Sequence, residues 1–336
     1  MSIAIVGAGA IGGQLGVKLA HAGEKVTFIA RGANLEAIQS NGMRLIEEDG
    51  SEIHVRDVRA TKSMAEAGVH DYVLLTVKAH QVGPIAADLK HLIGPNTSVV
   101  TLQNGIPWWY FLHGYRGDHR GAHIENSDPG GEIARHLDPA QVIGSVVYPA
   151  AILTEPGTVK VVEGNRYTLG EPDGTVSARV SELSRRLVAA GFKSPVIEDI
   201  RCEIWLKLWG NLSFNPISAL THATLVDICR FPDTRALTRA MMEEAQTIAN
   251  ALGVTFRVDI DRRIAGAEKV GAHKTSMLQD VEAGRAIELE ALVGSVIELG
   301  RLTGTATPHI DTVYALMRML ARSLETANGR LSIQPA

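Results

Sequence analysis

A glycine-rich turn near the start of the chain constrains the fold most. It follows a short apolar run, Ser2 to Val6, and opens a helical segment that leads to a β-branched strand at residues 25–30. In such a unit the first glycine makes the tight turn, the second lets a pyrophosphate approach the backbone, and the third permits close helix–strand packing. The helix N-terminus offers free N–H groups to the phosphates. The turn predicts a dinucleotide site formed by Gly7, Ala8, Gly9, Ala10, Ile11 and Gly12.

The end of the second strand distinguishes between the two nicotinamide cofactors. An NAD enzyme usually has an acidic residue there to bind the ribose 2′-hydroxyl. This chain has Arg31 after the strand and no acid before Glu36. A guanidinium can bind a 2′-phosphate with two parallel hydrogen bonds, which predicts NADPH/NADP+ as the cofactor. The alternative is that Arg31 is an ordinary surface arginine.

The remaining pattern predicts two domains. Strands and helices alternate to about residue 198, including a hairpin at residues 43–47 and 52–55, a helix at 82–92 and a strand at 194–197. This alternation predicts an α/β Rossmann domain with a doubly wound, mostly parallel sheet, over residues 1–198. Helical periodicities then follow one another, which predicts an all-α domain over residues 199–336 for substrate binding and dimerisation.

Composition excludes several classes of protein. The net charge of −4 over 336 residues argues against a nucleic-acid partner. No apolar run approaches the ~20 residues that span a membrane, so we expect no membrane partner. The two cysteines, Cys202 and Cys229, provide no disulfide framework, which favours a cytoplasmic location. We also expect no metal site, since the histidines of residues 106–137 lack acidic partners at metal-binding spacing.

A polar stripe lies on an otherwise apolar helix predicted within Glu203 to Thr221. At 100° per residue its members fall within an arc of about 80°: they are Lys207, Asn211, Asn215 and Ser218. A buried lysine and two buried carboxamides would need polar partners. The alternative is a stripe that faces solvent.

A second candidate segment runs from Ser276 to Glu288. On a straight helix Ser276 and Asp280 share a face, whereas Glu288 lies about 120° away, so helical geometry does not unite Ser276 with Glu288. Asp280, Arg285 and Glu290 could equally form structural ion pairs or be ordinary surface charges.

Together these motifs resemble the ketopantoate reductase (2-dehydropantoate 2-reductase) family, and the resemblance covers nearly the whole chain. The matching residues occur in order along the sequence: Gly7-x-Gly9-x-x-Gly12, Arg31, Val77-Lys78-Ala79, Gln103-Asn104-Gly105, Lys207-x-x-x-Asn211-x-x-x-Asn215, and Ser276-Met277-x-x-Asp280 with Glu288. The Lys-x-x-x-Asn-x-x-x-Asn helix and the Ser…Glu spacing of twelve residues are the specific parts.

The resemblance implies reduction of 2-dehydropantoate to pantoate by NADPH, in pantothenate biosynthesis. It implies that Lys207 is the catalytic cation and Glu288 its partner, and that Lys78 and Asn104 lie near the cofactor. The implied substrate-binding residues are Asn104, Asn211, Asn215 and Ser276. Desolvation would lower the pKa of the Lys207 ammonium, and a nearby Glu288 would oppose that change.

Some positions depart from the family pattern. Ile287 and Glu290 replace the expected Thr and Asp, and an aromatic block, Trp108 to Phe111, opens a long irregular stretch after Asn104. The block could reshape the pocket for another 2-keto acid, or it could be a core or dimer contact.

Two alternative functions stay open at this point. One is a paralogous NADPH-dependent reductase of a different small 2-keto acid; the other is a non-catalytic NADPH-binding regulatory protein. The apolar C-terminal helices, including residues 310–324, are compatible with a homodimer.

Overall fold

The structure, a computed structural model, describes residues 1–329 and divides into two compact units. One unit comprises residues 1–123 and 128–200; the other combines residues 124–127 with the chain from residue 201 onwards. The domain boundary predicted between residues 198 and 199 falls two residues before the junction at Ile200 and Arg201. Residues 330–336 of the predicted second domain lie outside the described part of the chain.

The first unit contains the strands of two sheets. They are β1 (Ser2–Val6), β2 (Lys25–Ile29), β3 (Met43–Ile46), β4 (Glu52–Val55), β5 (Arg59–Thr61), β6 (Tyr72–Leu75), β7 (Ser98–Thr101), β8 (Val142–Val147), β9 (Ala150–Glu155), β10 (Thr158–Glu163) and β11 (Tyr167–Gly170). The larger sheet has the order β11-β8-β7-β6-β1-β2-β5. Only the β8–β11 pair is antiparallel in it, which confirms the predicted mostly parallel sheet.

Helices accompany these strands in the first unit. They are α1 (Ala10–His21), α2 (Gly32–Asn41), α3 (Met64–Ala67), α4 (Ala86–Leu89), α5 (Glu132–His136) and α6 (Ala178–Ala189), with 3₁₀ turns at Ala79–Gln81, Gly83–Ile85, Pro129–Gly131 and Pro139–Gln141. The predicted helix over residues 82–92 is wrong in its extent. Gly83 is a poor helix former, and a 3₁₀ turn at Gly83–Ile85 replaces the predicted first turn before the short α4.

The smaller sheet was not foreseen as a separate layer. The predicted hairpin forms as β3 and β4, but it joins β10 and β9 in the order β4-β3-β10-β9. Likewise, the predicted strand at residues 194–197 contributes only an isolated bridge, between Leu169 and Val196.

Helix α1 lies between the two sheets, and its glycines permit the close approach. A Cβ added at Gly16 would lie 2.3 Å from the ring of Phe28 in the larger sheet. A Cβ added at Gly13 would lie 2.4 Å from Cε of Met43 and 2.6 Å from Cγ2 of Val159 in the smaller sheet. The glycine-rich start of α1 is therefore needed for packing on both faces.

The second unit is helical. It contains α7 (Ile200–Thr221), α8 (Leu225–Arg230), α9 (Pro232–Ala251), α10 (Ile260–Val270), α11 (Ser276–Glu282), a π-helical turn (Glu290–Gly294), α12 (Ser295–Thr303) and α13 (Pro308–Thr326). Its core includes Met241, Ile248, Leu299 and Met317, each fully buried. The predicted all-α character of the C-terminal region is confirmed. Within residues 1–329 no helix has the length and apolar content to cross a membrane.

The aromatic block after Asn104 belongs to the core of the first unit. Trp108, Trp109, Tyr110 and Phe111 are all buried, and Trp109 donates its indole N–H to the Thr101 hydroxyl over 2.9 Å. Tyr110 and Phe111 pack edge to face with ring centroids 4.9 Å apart. For this block the structure favours a core contact over a dimer contact, since buried rings cannot form a dimer surface.

Candidate active site

The three motif glycines of the turn have different surroundings, and each matches a different requirement. Gly7 has a φ of +105°, and its N–H donates to the Ile29 carbonyl over 3.0 Å, which closes the turn against β2. An added Cβ at Gly9 would meet no atom within 4 Å. At Gly12 it would lie 2.0 Å from the Gly7 carbonyl oxygen and 2.6 Å from Oγ1 of Thr76. Gly7 therefore makes the turn, Gly9 leaves open space, and Gly12 allows close packing.

This turn fits a dinucleotide pyrophosphate. Gly9 is the N-cap of α1 and lacks a side chain, so no side-chain cap competes for the first amides of the helix as the structure describes it. Those amides and the partial positive charge of the helix end favour a phosphate group there. Exposed Gly9 would let the phosphate come close to the backbone.

Arg31 lies between β2 and α2. It follows β2, is the N-cap of α2, and has an exposed side chain that can move toward an anion. Sequence reasoning missed Asn34, three residues later. Its Nδ2 donates to the Ala8 carbonyl over 2.6 Å, and its Oδ1 accepts the Gly157 N–H over 2.7 Å. Asn34 thus connects the glycine turn to the β9–β10 connection, a long-range contact that no local motif signals.

Lys78 and Asn104 lie beyond the carboxyl ends of the adjacent parallel strands β6 and β7. Both residues are half-buried. The side-chain amide of Gln103, the residue before Asn104, donates to the Leu75 carbonyl over 2.7 Å and to the Val77 carbonyl over 2.9 Å. Because β1 pairs with β6, the structure brings Lys78 and Asn104 to the sheet edge that also carries Gly7. This edge is where ligands bind in open α/β sheets.

The polar stripe of the second unit lies on α7, and its members are not surface residues. Asn215 and Ser218 are buried, whereas Lys207 and Asn211 are half-buried. The alternative of a solvent-facing stripe is therefore wrong. Ser218 has a structural partner, since its hydroxyl donates to the Ala223 carbonyl over 2.7 Å. The helix continues through Pro216 to Thr221.

Lys207 has a strongly perturbed ionisation. Burial lowers the pKa of its ammonium group to about 8, and the negative charge of Glu288 opposes this by raising it. Both expected contributions are present, and desolvation dominates. Lys207 and Glu288 therefore lie close enough for the charge of one to affect the pKa of the other. Titratable groups with such shifts cluster at functional sites.

The segment from Ser276 to Glu288 is not one straight helix. α11 ends at Glu282, and Gly284 adopts a φ of +63°, which turns the chain out of the helix. Arg285 closes this turn: its N–H donates to the Asp280 carbonyl and its Nε to Oδ1 of Asp280, both over 2.8 Å. Asp280 and Arg285 therefore form a structural ion pair, which holds the turn of the chain that leads from α11 to Glu288.

Ser276 is exposed at the first turn of α11, where the neighbouring Thr275 is the N-cap and accepts the Leu278 N–H. Glu290, one of the departures from the family pattern, accepts the Tyr314 hydroxyl over 2.6 Å. Within residues 1–329 no group of three or more potential metal ligands comes together.

Comparison with known proteins finds matches along most of the chain. The family described as "Ketopantoate reductase PanE/ApbA" matches residues 3–110, and "Ketopantoate reductase PanE/ApbA C terminal" matches residues 199–321. A 2-dehydropantoate 2-reductase from Mesorhizobium japonicum is 56% identical over 322 residues, with 96% of this chain and 98% of the relative covered.

Solved structures show the same architecture. The crystal structure of a protein from Ralstonia solanacearum has a TM-score of 0.91 at 40% identity, covering 96% of this chain and 98% of the other. The crystal structure of 2-dehydropantoate 2-reductase from Methylococcus capsulatus has a TM-score of 0.81 at 29% identity, with the same coverage of 96% and 98%.

Proposed function

The chain belongs to the ketopantoate reductase family, and from this premise we propose that it reduces 2-dehydropantoate to pantoate with NADPH, a step of pantothenate biosynthesis. The observation that carries the proposal is the ionisation of Lys207. A lysine with a pKa of about 8, close to the carboxylate of Glu288, is suited to donate a proton near neutral pH.

The chemistry requires a cation at the substrate carbonyl. Bound NADPH would supply a hydride to the carbonyl carbon of the substrate and would itself become NADP+. The Lys207 ammonium stabilises the negative charge that develops on the carbonyl oxygen and then transfers a proton to it, giving the 2-hydroxy acid. Glu288 keeps part of the Lys207 population protonated, because its charge raises the lysine pKa against the effect of burial.

We assign the remaining site residues by their chemistry. Amide and hydroxyl groups can orient the substrate carboxylate and hydroxyl, and we propose this role for Asn104, Asn211, Asn215 and Ser276. The cofactor contacts that we propose are the turn Gly7–Gly12 with Arg31, Lys78 and Asn104. The half-buried side chains of Asn104, Lys207 and Asn211 are partly accessible to a ligand.

A substrate scan tests the function. Oxidation of NADPH and of NADH would be followed at 340 nm with 2-dehydropantoate and with a series of other small 2-keto acids. We expect the highest kcat/KM with 2-dehydropantoate and NADPH. Turnover of another keto acid but not 2-dehydropantoate would indicate a paralogous reductase, and NADPH binding without any turnover would indicate a regulatory protein.

Replacing Arg31 by alanine tests the cofactor assignment. Charge-assisted hydrogen bonds to a phosphate contribute about 1.5–3 kcal/mol, so the KM for NADPH should rise about tenfold to a hundredfold. The KM for NADH should stay unchanged, because that cofactor has no 2′-phosphate. Arg56→Ala, which removes another exposed arginine of the same unit, is the matched control. An equal rise for both cofactors would contradict the assignment.

We also propose a homodimer and a cytoplasmic location. The support for a dimer is α13, which buries Ile310 and Met317 but leaves Leu316 and Met319 more than half exposed. Burying these side chains would remove apolar surface from water. Light scattering after size-exclusion chromatography should give twice the mass of one chain, and Met319→Arg should lower it. The support for the location is that both cysteines of the described chain are buried thiols and not part of a disulfide.

A further inference from the structure

A widened helical turn begins two residues after Glu288. Residues Glu290–Gly294 form a π-helical turn in which the Ser295 N–H donates to the Glu290 carbonyl, five residues earlier. The chain then continues as α12. Such turns are rare and are frequently found at functional sites. Contacts from outside the turn help to hold it.

One such contact comes from a distant part of the sequence. Asn126 lies in the long connection between β7 and β8, yet residues 124–127 belong to the helical unit. Its Nδ2 donates to the Gly294 carbonyl over 3.2 Å and to Oε2 of Glu298 over 2.7 Å. An added Cβ at Gly294 would lie 2.5 Å from Oε2 of Glu290 and 2.9 Å from Oδ1 of Asn126, so both side chains pack closely on this glycine.

Glu298, one turn along on α12, holds the backbone of the same segment. Its carboxylate accepts the Glu125 N–H over 2.7 Å and the Asn126 N–H over 2.9 Å. Hydrogen bonds to a charged acceptor are roughly twice as strong as neutral ones. At the first residue of the π-helical turn, Glu290 accepts the Tyr314 hydroxyl. The turn is thus held at both ends by side chains remote in sequence.

We propose that Asn126 is a positioning residue: through Gly294 and Glu298 it holds the π-helical turn and thereby fixes Glu288 beside Lys207. This inference rests on the proposed function, since it takes Glu288 as the partner of the catalytic lysine. Asn126 is not proposed to contact substrate or cofactor. Its effect on the reaction is transmitted through Leu289, the one residue between Glu288 and the turn.

Two substitutions of Asn126 test the proposal. Asn126→Ala removes both donated hydrogen bonds, and Asn126→Asp keeps the shape but places a second carboxylate against Glu298. Because small misplacements in a site can reduce rates about a hundredfold, we expect kcat to fall about tenfold to a hundredfold, with aspartate worse than alanine. The Kd for NADPH should stay unchanged, and an unchanged midpoint of thermal unfolding would show that the variants fold.

The pH profile separates positioning from a merely structural role. The charge that faces Lys207 and raises its pKa is that of Glu288. If Glu288 moves away, the alkaline limb of the kcat/KM profile should shift to lower pH, in the direction expected for Glu288→Gln. Glu298→Gln should shift it in the same direction, and it carries the test if the Asn126 variants do not fold. Asn250→Ala, an exposed asparagine of α9, is the control and should have no effect.

The outcomes distinguish this inference from the function on which it rests. If Lys207→Ala and Glu288→Gln lose activity while the Asn126 variants keep the wild-type kcat and pH profile, the positioning role is overturned and the proposed function stands. If Glu288→Gln keeps full activity, both the role of Glu288 and the positioning role fail. A loss of kcat in both Asn126 variants, with the shifted limb, supports the proposal.

Discussion

Lys207→Ala should reduce kcat for 2-dehydropantoate by about 10³-fold or more, the combined effect of losing a general acid and an electrostatic contact to the developing oxyanion. That reduction corresponds to about 4 kcal/mol of transition-state stabilisation. The Kd for NADPH should change little, since the turn at Gly7 to Gly12 lies on the other unit. Steady-state kinetics and fluorescence titration of NADPH would measure the two quantities.

The pH dependence of kcat/KM should follow the protonation of Lys207. With a pKa of about 8, Lys207 is mostly protonated below that pH and loses its proton above it. Reduction consumes a proton, so kcat/KM should be constant below pH 8 and fall about tenfold per pH unit above it. Glu288→Gln removes the charge that raises this pKa, and the limb should therefore move to lower pH.

Two further variants control for general damage. Lys207→Arg keeps a positive charge but cannot give up a proton in this range, so part of kcat should return and the alkaline limb should disappear. Lys269→Ala removes an exposed lysine at the end of α10 and should leave kcat unchanged. Wild-type kcat in Lys207→Ala would exclude this residue as the catalytic cation.

Local patterns predicted the parts of the fold that depend on local physics. The βαβ unit, the hairpin and the helical C-terminal region all follow from periodicity and turn residues, and each forms. The short edge strand Arg59–Thr61 was not predicted, because its pairing with β2 supplies what a three-residue polar segment lacks in propensity. The separate smaller sheet depends on β3 pairing with β10, more than a hundred residues away.

The same distinction applies to the candidate site. The stripe on α7 could be read from helical spacing, but its burial could not, because a polar face is compatible with solvent or with a pocket. The position of Glu288 required the break after α11, where Gly284 leaves the helix. Asn34 and Asn126 were missed because each acts across a long sequence separation, through contacts with Ala8 and Gly294 respectively.

The glycine turn allows stability and cofactor binding to be separated. At Gly12 an added Cβ would lie 2.0 Å from a backbone oxygen, that of Gly7, which cannot move without opening the turn. We expect Gly12→Ala to lower the free energy of unfolding by about 3 kcal/mol, the upper end of the usual cost of overpacking. The midpoint of thermal unfolding should fall by about 10 °C, and NADPH affinity should be lost with it.

Gly9→Ala should have the opposite pattern. Its Cβ would meet no protein atom within 4 Å, so the thermal midpoint should stay near the wild-type value. The methyl group would nevertheless occupy the space through which a pyrophosphate reaches the backbone, and NADPH affinity should fall about tenfold or more. A wild-type Kd for NADPH in this variant would move the pyrophosphate away from Gly9.

Gly266→Ala completes the comparison, because it makes the same chemical change where neither effect applies. Gly266 is exposed in α10, and an added Cβ there would meet nothing within 4 Å. Alanine is the better helix former, so this variant should gain about 0.5–1 kcal/mol of stability and bind NADPH normally. Since all three variants add one methyl group, differences among them report the surroundings of each glycine. If Gly12→Ala behaved like Gly266→Ala, the close packing of α1 on the turn would be disproved.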